Sequence, residues 1–546
     1  MNLNSAQTPS TADDWKQLIA KTSQPQMIFR RLLVWIAVAM VSAVPSFLLA
    51  IVSGHQNWPA YVAMLLGILL FAFMLATIPR PTIPQTRRTL LRHTTPPTPC
   101  PPTRDPIAAF TDLAIQPAEW ITERGGVHTI PTVPPAATVE WSRVVMFLID
   151  NINDKQDTAR RETAFLLFLI TPALVLAPGV GGDRTLARDV NRRCRLFLNG
   201  HLSQLIDEYD RGQTTARARR EQRTGSETAS TTRKRAARIS RLVSAGQFGK
   251  ARRELLSPGV ATSTPEVVQQ LRDKHPARQQ PIDWNHIQSN PRTQVEISWE
   301  LLEKVLRTSP KLSGPGLTGL RQDHFRALLF SKLSQSDKSA LSTFFTDIAN
   351  ARVPPAAIDP LLSSTLIPIL KVAGKEDVRP ITLPESLLKI PARCIGRSFR
   401  RKLNTLFTSV HQLGEGVSGG LEAAVHSLQI LLSQNHEFLA LSIDMKNAFN
   451  SIRRADVAKQ VYRHFPELVP FFKMCYQPAS KLYLRLVDGT FEILTSDEGT
   501  RQGEPLAGTF FNLGFLVILE QLQLMFPKVT PLAIHDDVTL IGPPED

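Results

Sequence analysis

Three short segments near the end of this chain place carboxylates or glycines beside apolar stretches of strand character. The first is Leu441–Asn450 and contains Asp444, the second is Glu498–Leu506, and the third is Ala533–Leu540 and contains the adjacent pair Asp536–Asp537. A lone Asp-Asp turn is typical of a solvated loop. Separate carboxylates brought together in a fold instead repel each other unless a cation such as Mg²⁺ shares them with substrate phosphates. The three segments in this order therefore indicate two-metal phosphoryl chemistry, acting on a 3′-oxygen and a leaving pyrophosphate.

The elements that must position these residues follow from local patterns. Residues 438–443 are almost entirely apolar, which predicts a buried strand that ends at Asp444. Pro505 suits the first turn of a long helix. Short apolar stretches on both sides of Asp536–Asp537 predict two strands that meet at this bend.

A hairpin is predicted upstream of these segments. Residues 364–371 and 378–383 have strand character and are separated by a turn that contains glycine. They carry Lys371 and Arg379, and two cations on adjoining strands can bind a triphosphate. Cations are also ordinary on an exposed hairpin, so these two residues alone do not decide between the interpretations.

The chain has 546 residues and a formal charge of +15, which is unevenly distributed. Residues 211–253 contain thirteen Lys or Arg and two Glu, a composition that suits a polyanion such as nucleic acid. The candidate ligands are Arg217, Arg219, Arg220, Arg233, Lys234 and Arg235. Such side chains contact phosphates rather than bases, so little sequence specificity is expected. A solvated basic linker and a nuclear-import signal are the alternative interpretations.

Two uncharged apolar runs, residues 32–53 and 58–79, stand near the beginning of the chain. Each is long enough to cross a bilayer as a helix, and arginines flank the pair on both outer sides. Two long runs do not fit a secretory signal peptide. One interpretation is a transmembrane helical hairpin that provides membrane contact. The other is an upstream start codon that joined an unrelated reading frame to the gene.

The remaining chain divides by composition. Residues 81–140 are rich in Pro and Thr and are predicted to be an unpacked linker. Residues 141–294 are predicted to be helical, and residues 295–546 to mix helices and strands as an α+β fold. The four cysteines are too widely spaced for a zinc site, and we expect reduced thiols without a disulfide partner.

The segments singled out above also match known motifs. They are 314–316 and 378–381, the stretch 444–450, the Gln-Gly segment 499–506, and the turn 535–537. In this order they resemble the fingers and palm of a reverse transcriptase of a non-LTR (LINE-type) retrotransposon. The resemblance implies a right-hand polymerase that copies an RNA template by adding dNTPs to a DNA primer. Ile534 and His535 depart from the family, which has Tyr or Phe and then a small residue here.

The resemblance implies roles for single residues. Asp444 and Asp536 would bind two Mg²⁺ ions, with Mn²⁺ as the alternative, and Asp537 would be a less directly coordinating carboxylate. Phe449 would place its ring against the sugar and so exclude a ribose 2′-hydroxyl. The remaining contacts would be Gln502 and Gly503 to the nascent base pair, and Lys371 and Arg379 to the triphosphate.

The sequence stops nine residues after Asp537, where this family continues into a thumb. We therefore expect an incomplete palm without a thumb, from a fragment or a decayed element. The alternatives are an inactive remnant that binds nucleic acid through 211–253, a membrane-tethered fusion protein, and a palm polymerase that copies RNA into RNA. Phe449 argues against the last. A retroelement enzyme is expected in the nucleus or cytoplasm, or at a membrane if the hairpin is genuine.

Overall fold

The computed structural model describes residues 103–178, 183–221, 227–287, 294–372 and 377–545. The predicted transmembrane hairpin, residues 32–53 and 58–79, lies outside the described residues. Within them, helices are combined with two β-sheets, which agrees with the predicted α+β class.

The described residues between 141 and 287 are mainly helical, as predicted, and helices also form between 103 and 140. The helices of these two stretches are α1 (Pro106–Leu113), α2 (Pro117–Glu123), α3 (Thr138–Asn153), α4 (Thr158–Leu176), α5 (Asp183–Leu198), α6 (Leu202–Glu221), α7 (Glu227–Ser244), α8 (Phe248–Leu256) and α9 (Pro265–Asp273).

The prediction of an unpacked linker over residues 81–140 is wrong from residue 103 onward. Helices α1 and α2 bury Phe110 and Trp120 in the main hydrophobic core. Each helix begins with a proline, at a position where the missing N–H removes no helical hydrogen bond. The high proline content therefore marks helix starts here, and the few large apolar residues between them are enough for packing.

The later part of the chain carries the remaining elements. They are α10 (Trp299–Thr308), α11 (Gln322–Arg326), α12 (Gln335–Ala349), α13 (Pro355–Leu362), β1 (Ser364–Leu370), β2 (Val378–Leu383), α14 (Ser386–Ser398), α15 (Arg400–Thr408), α16 (Gly420–Gln434), β3 (Leu439–Asp444), α17 (Ala448–Ser451), α18 (Arg454–His464), α19 (Val469–Tyr476), β4 (Ser480–Arg485), β5 (Phe491–Ser496), α20 (Ala507–Met525), β6 (Thr530–Ile534) and β7 (Asp537–Gly542).

The strands form two sheets of different size. The four-stranded sheet has the order β2-β1-β4-β5, in which β1 pairs antiparallel with β2, as predicted, and parallel with β4. The three-stranded sheet has the order β3-β7-β6 and is antiparallel throughout. Helix α20 packs Phe511, Phe515 and Leu516 into a core that includes Val538 of this second sheet.

Strand β3 forms where it is predicted, but it is not buried. Leu439 and Leu441 are each 61% exposed, and Ile443 is 37% exposed. The apolar composition correctly predicted a strand at this position. It did not reveal that β3 is the edge strand of its sheet, with β7 as its hydrogen-bonded neighbour.

Helix α20 is the one helix in the described part of the chain that is long and apolar enough to cross a membrane. Half of its most apolar stretch is buried inside the protein. Core helices of soluble proteins meet the same criteria of length and composition, so α20 is weak evidence for a membrane span.

A single core joins the early helices to the later region. Helix α3 packs on α12, and α4 packs on α13. The Trp141 indole donates a hydrogen bond to the His324 carbonyl at 3.0 Å, and Thr129 Oγ1 donates to the Gly319 carbonyl at 2.7 Å. These buried contacts fix the helical region against the segment that precedes the first sheet.

His324 makes this junction sensitive to acid. The side chain is fully buried, its Nε2 lies 2.8 Å from the Ile130 carbonyl, and its Nδ1 accepts from the Arg321 N–H. Burial lowers the pKa of His324 from 6.5 to about 3. Between these two pH values the imidazole is protonated in the unfolded chain and neutral in the folded chain. We expect the free energy of unfolding to fall by up to about 1.4 kcal/mol for each pH unit between these two values.

The measurement is urea unfolding of the wild type and of His324→Gln, whose amide can still donate to Ile130, at neutral and at mildly acidic pH. The variant is expected to lose less stability on acidification than the wild type. Equal losses in the two proteins would contradict a buried neutral imidazole at this position.

Candidate active site

The register of the three-stranded sheet brings two of the predicted carboxylates together. Asp444 is the last residue of β3, Asp537 is the first residue of β7, and the two are cross-strand partners. Asp537 also pairs with Ile534, so His535 and Asp536 form the two-residue turn that closes the β6–β7 hairpin. Directly opposed side chains lie about 5 Å apart at Cβ, and like charges there are destabilising. All three aspartates thus lie at one end of the sheet.

The electrostatics of these aspartates favour a bound cation. Burial raises the pKa of Asp536, and the charges of Asp537 and Asp444 raise it further, against the opposing effects of a backbone hydrogen bond and His535. Among the described residues, no group of three or more His, Cys, Asp or Glu side chains is close enough to hold a metal alone. Because Mg²⁺ usually takes only one or two carboxylates together with substrate phosphates, the donor set fits a cation shared with a substrate.

The turn that carries Asp536 has a strained backbone, which hydrogen bonds from a distant side chain hold in place. His535 has a φ of +57°, which is uncommon for a residue other than glycine and is often found at functional sites. The buried Gln412 side chain accepts from the His535 N–H at 2.8 Å and donates to its carbonyl at 3.0 Å. Sequence analysis did not single out Gln412, because this bond joins residues far apart in the chain.

Phe449 lies beside the same turn. Its half-buried ring stacks on Phe511, with centroids 4.7 Å apart, and its centroid lies 6.0 Å from that of His535. Its carbonyl accepts a hydrogen bond from the Thr500 N–H at 2.6 Å. The first and second predicted segments are therefore in direct contact, and the ring lies beside the turn that carries Asp536.

Gln502 and Gly503 join the second segment to the upstream hairpin. The Gln502 carbonyl accepts from the Thr382 N–H at 2.8 Å and from its hydroxyl at 3.0 Å. Gly503 has a φ of +119°, and a Cβ there would lie 2.2 Å from the Thr382 carbonyl oxygen. Gly503 therefore lies directly against strand β2, and its approach to a nascent base pair stays a prediction.

Lys371 and Arg379 lie on one face of the β1–β2 hairpin, because Arg379 is opposite Ile369 and Lys371 follows two residues later. Arg379 is exposed, whereas Lys371 Nζ lies 2.7 Å from an Asp377 oxygen. Lys274, which the sequence analysis missed, contacts the other Asp377 oxygen at 2.6 Å. Hydrogen bonds from Lys274 and Lys371 lower the pKa of Asp377 to about 2.

Lys274 also connects this hairpin to the end of β3. Its backbone carbonyl accepts hydrogen bonds from the side-chain amides of Asn447 and Asn450, each at 3.0 Å. Asn447 is three residues beyond Asp444. No local sequence pattern signals this contact, because Lys274 follows helix α9 in the region predicted to be only helical.

The predicted basic segment is only partly available for binding. Arg233 is exposed, but the Arg235 guanidinium donates to the carbonyls of Glu254, Leu255 and Ser257 near the end of α8. These contacts satisfy carbonyls at the C-terminal end of α8, and the role of Arg235 as a nucleic-acid ligand stays a prediction. The backbone of Arg217, Arg219, Arg220 and Lys234 is helical, and their side chains lie outside the described residues.

A second basic surface was not predicted. A cleft of about 230 Å³ is lined by Arg393 and Arg397 of α14, together with Glu415 and Pro505. Arg393 Nε is buried and has no hydrogen-bond partner in the described part of the chain. Burial lowers the pKa of Arg393, and the nearby Arg397 adds to this effect. In the sequence, the spacing of four residues between the two arginines indicates that they lie on the same face of a helix.

Comparison with known proteins finds a relative that matches part of this chain. No family model matches the sequence. The chain is 26% identical over 258 residues to the retrotransposable element SLACS 132 kDa protein of Trypanosoma brucei gambiense. The match covers 45% of this chain and 20% of that protein, so the chain matches about a fifth of the relative's length.

Two solved telomerase structures give weaker similarities. Apo telomerase from Candida tropicalis, truncated from the C-terminal domain, is 17% identical with a TM-score of 0.26, over 34% of this chain and 44% of that chain. Telomerase from Candida albicans, in complex with a TWJ fragment of telomeric RNA, is 12% identical with a TM-score of 0.27, over 42% of this chain and 53% of that chain. TM-scores of this size do not establish a shared fold.

Proposed function

We propose that this chain contains the RNA-directed DNA polymerase domain of a non-LTR retrotransposon, acting in the nucleus or cytoplasm. The observation that carries the proposal is the register that sets Asp444 opposite Asp537, next to Asp536 in the turn. The contacts of Phe449 and Gln502 with the neighbouring segments support it, as does the similarity to the SLACS protein. In this proposal β1, β2 and α14 belong to the fingers, and β3, β6, β7 and α20 to the palm.

The proposed reaction is nucleotidyl transfer. The 3′-oxygen of a DNA primer attacks the α-phosphorus of a dNTP, a phosphodiester bond forms, and pyrophosphate leaves. Asp444 and Asp536 would hold two Mg²⁺ ions, with Asp537 beside them. Bound Mg²⁺ supplies charge neutralisation at the attacking and leaving oxygens. Because these carboxylates lie at one end of the sheet and not in a closed cage, substrate phosphates could share the ions with them.

The remaining residues orient the substrates. Phe449 bounds the sugar, and the backbone at Gln502 and Gly503 borders the nascent base pair. Lys371 and Arg379 bind the triphosphate from the hairpin face that they share. Arg393 and Arg397 in their cleft, with the exposed cations of α7 and α8, contact the phosphates of the RNA template and primer.

The experiment that tests this function is extension of a labelled DNA primer annealed to an RNA template, with the full chain, Mg²⁺ and the four dNTPs. Products whose lengths follow the template, and which disappear when the divalent cation is chelated, are expected. A chain that binds the primer–template but never extends it would contradict the proposal and favour an inactive nucleic-acid-binding remnant.

Phe449 provides a test of sugar selection. Replacing Phe449 with Ala removes the ring that would clash with a 2′-hydroxyl, so incorporation of ribonucleotides should rise relative to deoxynucleotides. A contact of this size is worth on the order of 10- to 200-fold in discrimination. Selectivity is measured as the ratio of kcat/KM for dGTP and GTP. The Phe449→Tyr variant keeps the ring and should retain the wild-type ratio, and an unchanged ratio in Phe449→Ala would contradict the assignment.

A further inference from the structure

The structure assigns a new role to the cluster of Lys274, Asp377 and Lys371, and this inference rests on the proposed function. We propose that Lys274 is a third ligand for the nucleotide's terminal phosphates, and that Asp377 occupies their place until a nucleotide binds. Asp377 would thus compete with the nucleotide for both lysines.

The contacts of Asp377 are the first support. Its two carboxylate oxygens bind two different ammonium groups, at 2.6 Å to Lys274 and 2.7 Å to Lys371. An ion pair across the strands explains Lys371, because its N–H also bonds to the Asp377 carbonyl at the end of the hairpin. Lys274 comes from outside the hairpin: its ammonium group also donates to the Val378 carbonyl of β2, and it brings a second like charge to the same carboxylate.

The position of Lys274 is the second support. Its carbonyl is bound by Asn447 and Asn450, just beyond the strand that ends at Asp444, while its ammonium group reaches the hairpin. Lys274 therefore spans the gap between the carboxylates and the hairpin. A nucleotide whose α-phosphate is at Asp444 and whose terminal phosphates reach Lys371 must cross the same gap.

The exposure of the cluster makes exchange of the anion feasible. Asp377 is 50% exposed and Lys371 is 42% exposed, so a triphosphate can reach both ammonium groups without unfolding the hairpin. The Lys274 side chain is only 20% exposed, and its backbone is held by the hydrogen bonds from Asn447 and Asn450, so its ammonium group has little freedom to move away. A triphosphate has more charge and more acceptor oxygens than one carboxylate, so it should displace Asp377 from both lysines.

The test uses substitutions whose expected effects have opposite signs. Lys274→Gln should raise the Kd for a nucleotide about tenfold, since it removes one charge-assisted contact. Asp377→Asn should lower the Kd several-fold, because the competing anion is gone. A purely structural ion cluster would instead give changes of the same sign, since both substitutions break the same ion pair. Changes of the same sign, or no change, would overturn the inference.

The Kd is measured for dTTP with Mg²⁺ by calorimetry, on full chain bound to an RNA–DNA primer–template whose primer ends in a dideoxynucleotide. Lys481→Gln and Asp359→Asn are the control variants, because that pair has a similar distance of 2.8 Å and its side chains are 47% and 55% exposed, close to the 42% and 50% of Lys371 and Asp377. Neither control should change the Kd. Melting temperatures of all four variants should stay within a few degrees of the wild type, which excludes unfolding as the cause.

Extension of an ordinary primer is measured in parallel. A wild-type chain that binds dTTP with the expected variant effects but does not extend the primer contradicts the proposed function alone. Extension with an unchanged Kd in Lys274→Gln contradicts the inference alone. A wild-type chain that binds no dTTP contradicts both.

Discussion

Replacing Asp536 with Asn is expected to abolish primer extension and, in Mg²⁺-free buffer, to raise the melting temperature of the chain. Activity should fall because a neutral amide is a poor ligand for a divalent cation, and loss of several kcal/mol of charge stabilisation corresponds to about 10³-fold or more in rate. Stability should rise because burial raises the pKa of the Asp536 carboxyl, and the charges of Asp537 and Asp444 act in the same direction.

The sign follows from linkage. An acid whose pKa is raised by folding destabilises the native state wherever it is ionised, which here means above its folded pKa. The difference in melting temperature between the variant and the wild type should therefore shrink as the pH is lowered through that pKa, because both side chains are then neutral. Differential scanning calorimetry over a pH series measures this directly.

Asp488→Asn is the matched control, because Asp488 is an exposed aspartate in the β4–β5 turn that bonds to Thr490. It should leave activity unchanged, and it should lower rather than raise the melting temperature at neutral pH, because hydrogen bonds from Thr490 lower the pKa of Asp488 in the folded chain. A variant at Asp536 that melts below the wild type and still extends primers would contradict both halves of the prediction.

Replacing Arg454 is expected to cause a large loss of stability. This guanidinium is fully buried and donates to the carbonyls of Gly499 at 2.8 Å, Tyr476 at 3.1 Å and Ser496 at 3.2 Å. Arg454→Met would leave these acceptors buried without partners, at a cost of about 3–5 kcal/mol in the free energy of unfolding. The Gly499–Thr500 backbone would also lose the contact that holds it against Phe449.

The adjacent Arg453 offers a matched control for urea unfolding. Its side chain is 51% exposed and pairs with Asp456 at 2.7 Å, an interaction worth about 1 kcal/mol or less. Arg453→Met should therefore unfold close to the wild type, while Arg454→Met unfolds at much lower urea. Equal midpoints for the two variants would show that the buried network contributes no more than the surface pair.

Local patterns were sufficient for the elements that carry the site. Strands around residues 364–370 and 378–383, the strand ending at Asp444, and the helix after Pro505 all form where the sequence predicts them. These elements are encoded by runs of a few residues, by β-branched side chains and by turn residues between them. Local patterns did not predict that β3 pairs with β7 or that Asp444 is the cross-strand partner of Asp537; the order of the motifs implied only that the carboxylates come together.

Features that depend on partners distant in the chain could not be predicted in this way. The exposure of Leu441 depends on which elements pack on the faces of β3, and the contacts of Arg235 depend on carbonyls near the end of α8. Lys274 and Gln412 are ordinary polar residues until the fold places them beside Asp377 and His535. The proline-rich composition of residues 103–140 was misread because helix starts and loops both favour proline.

The central claim, that Asp444 and its neighbours catalyse nucleotidyl transfer on an RNA template, is tested most directly by single-turnover primer extension. The wild type and Asp444→Asn are compared at saturating dNTP, after binding of the primer–template has been measured for each. We predict equal binding of the primer–template and an extension rate lower by about 10³-fold or more in the variant. An Asp444→Asn chain that extends the primer at the wild-type rate would contradict the claim.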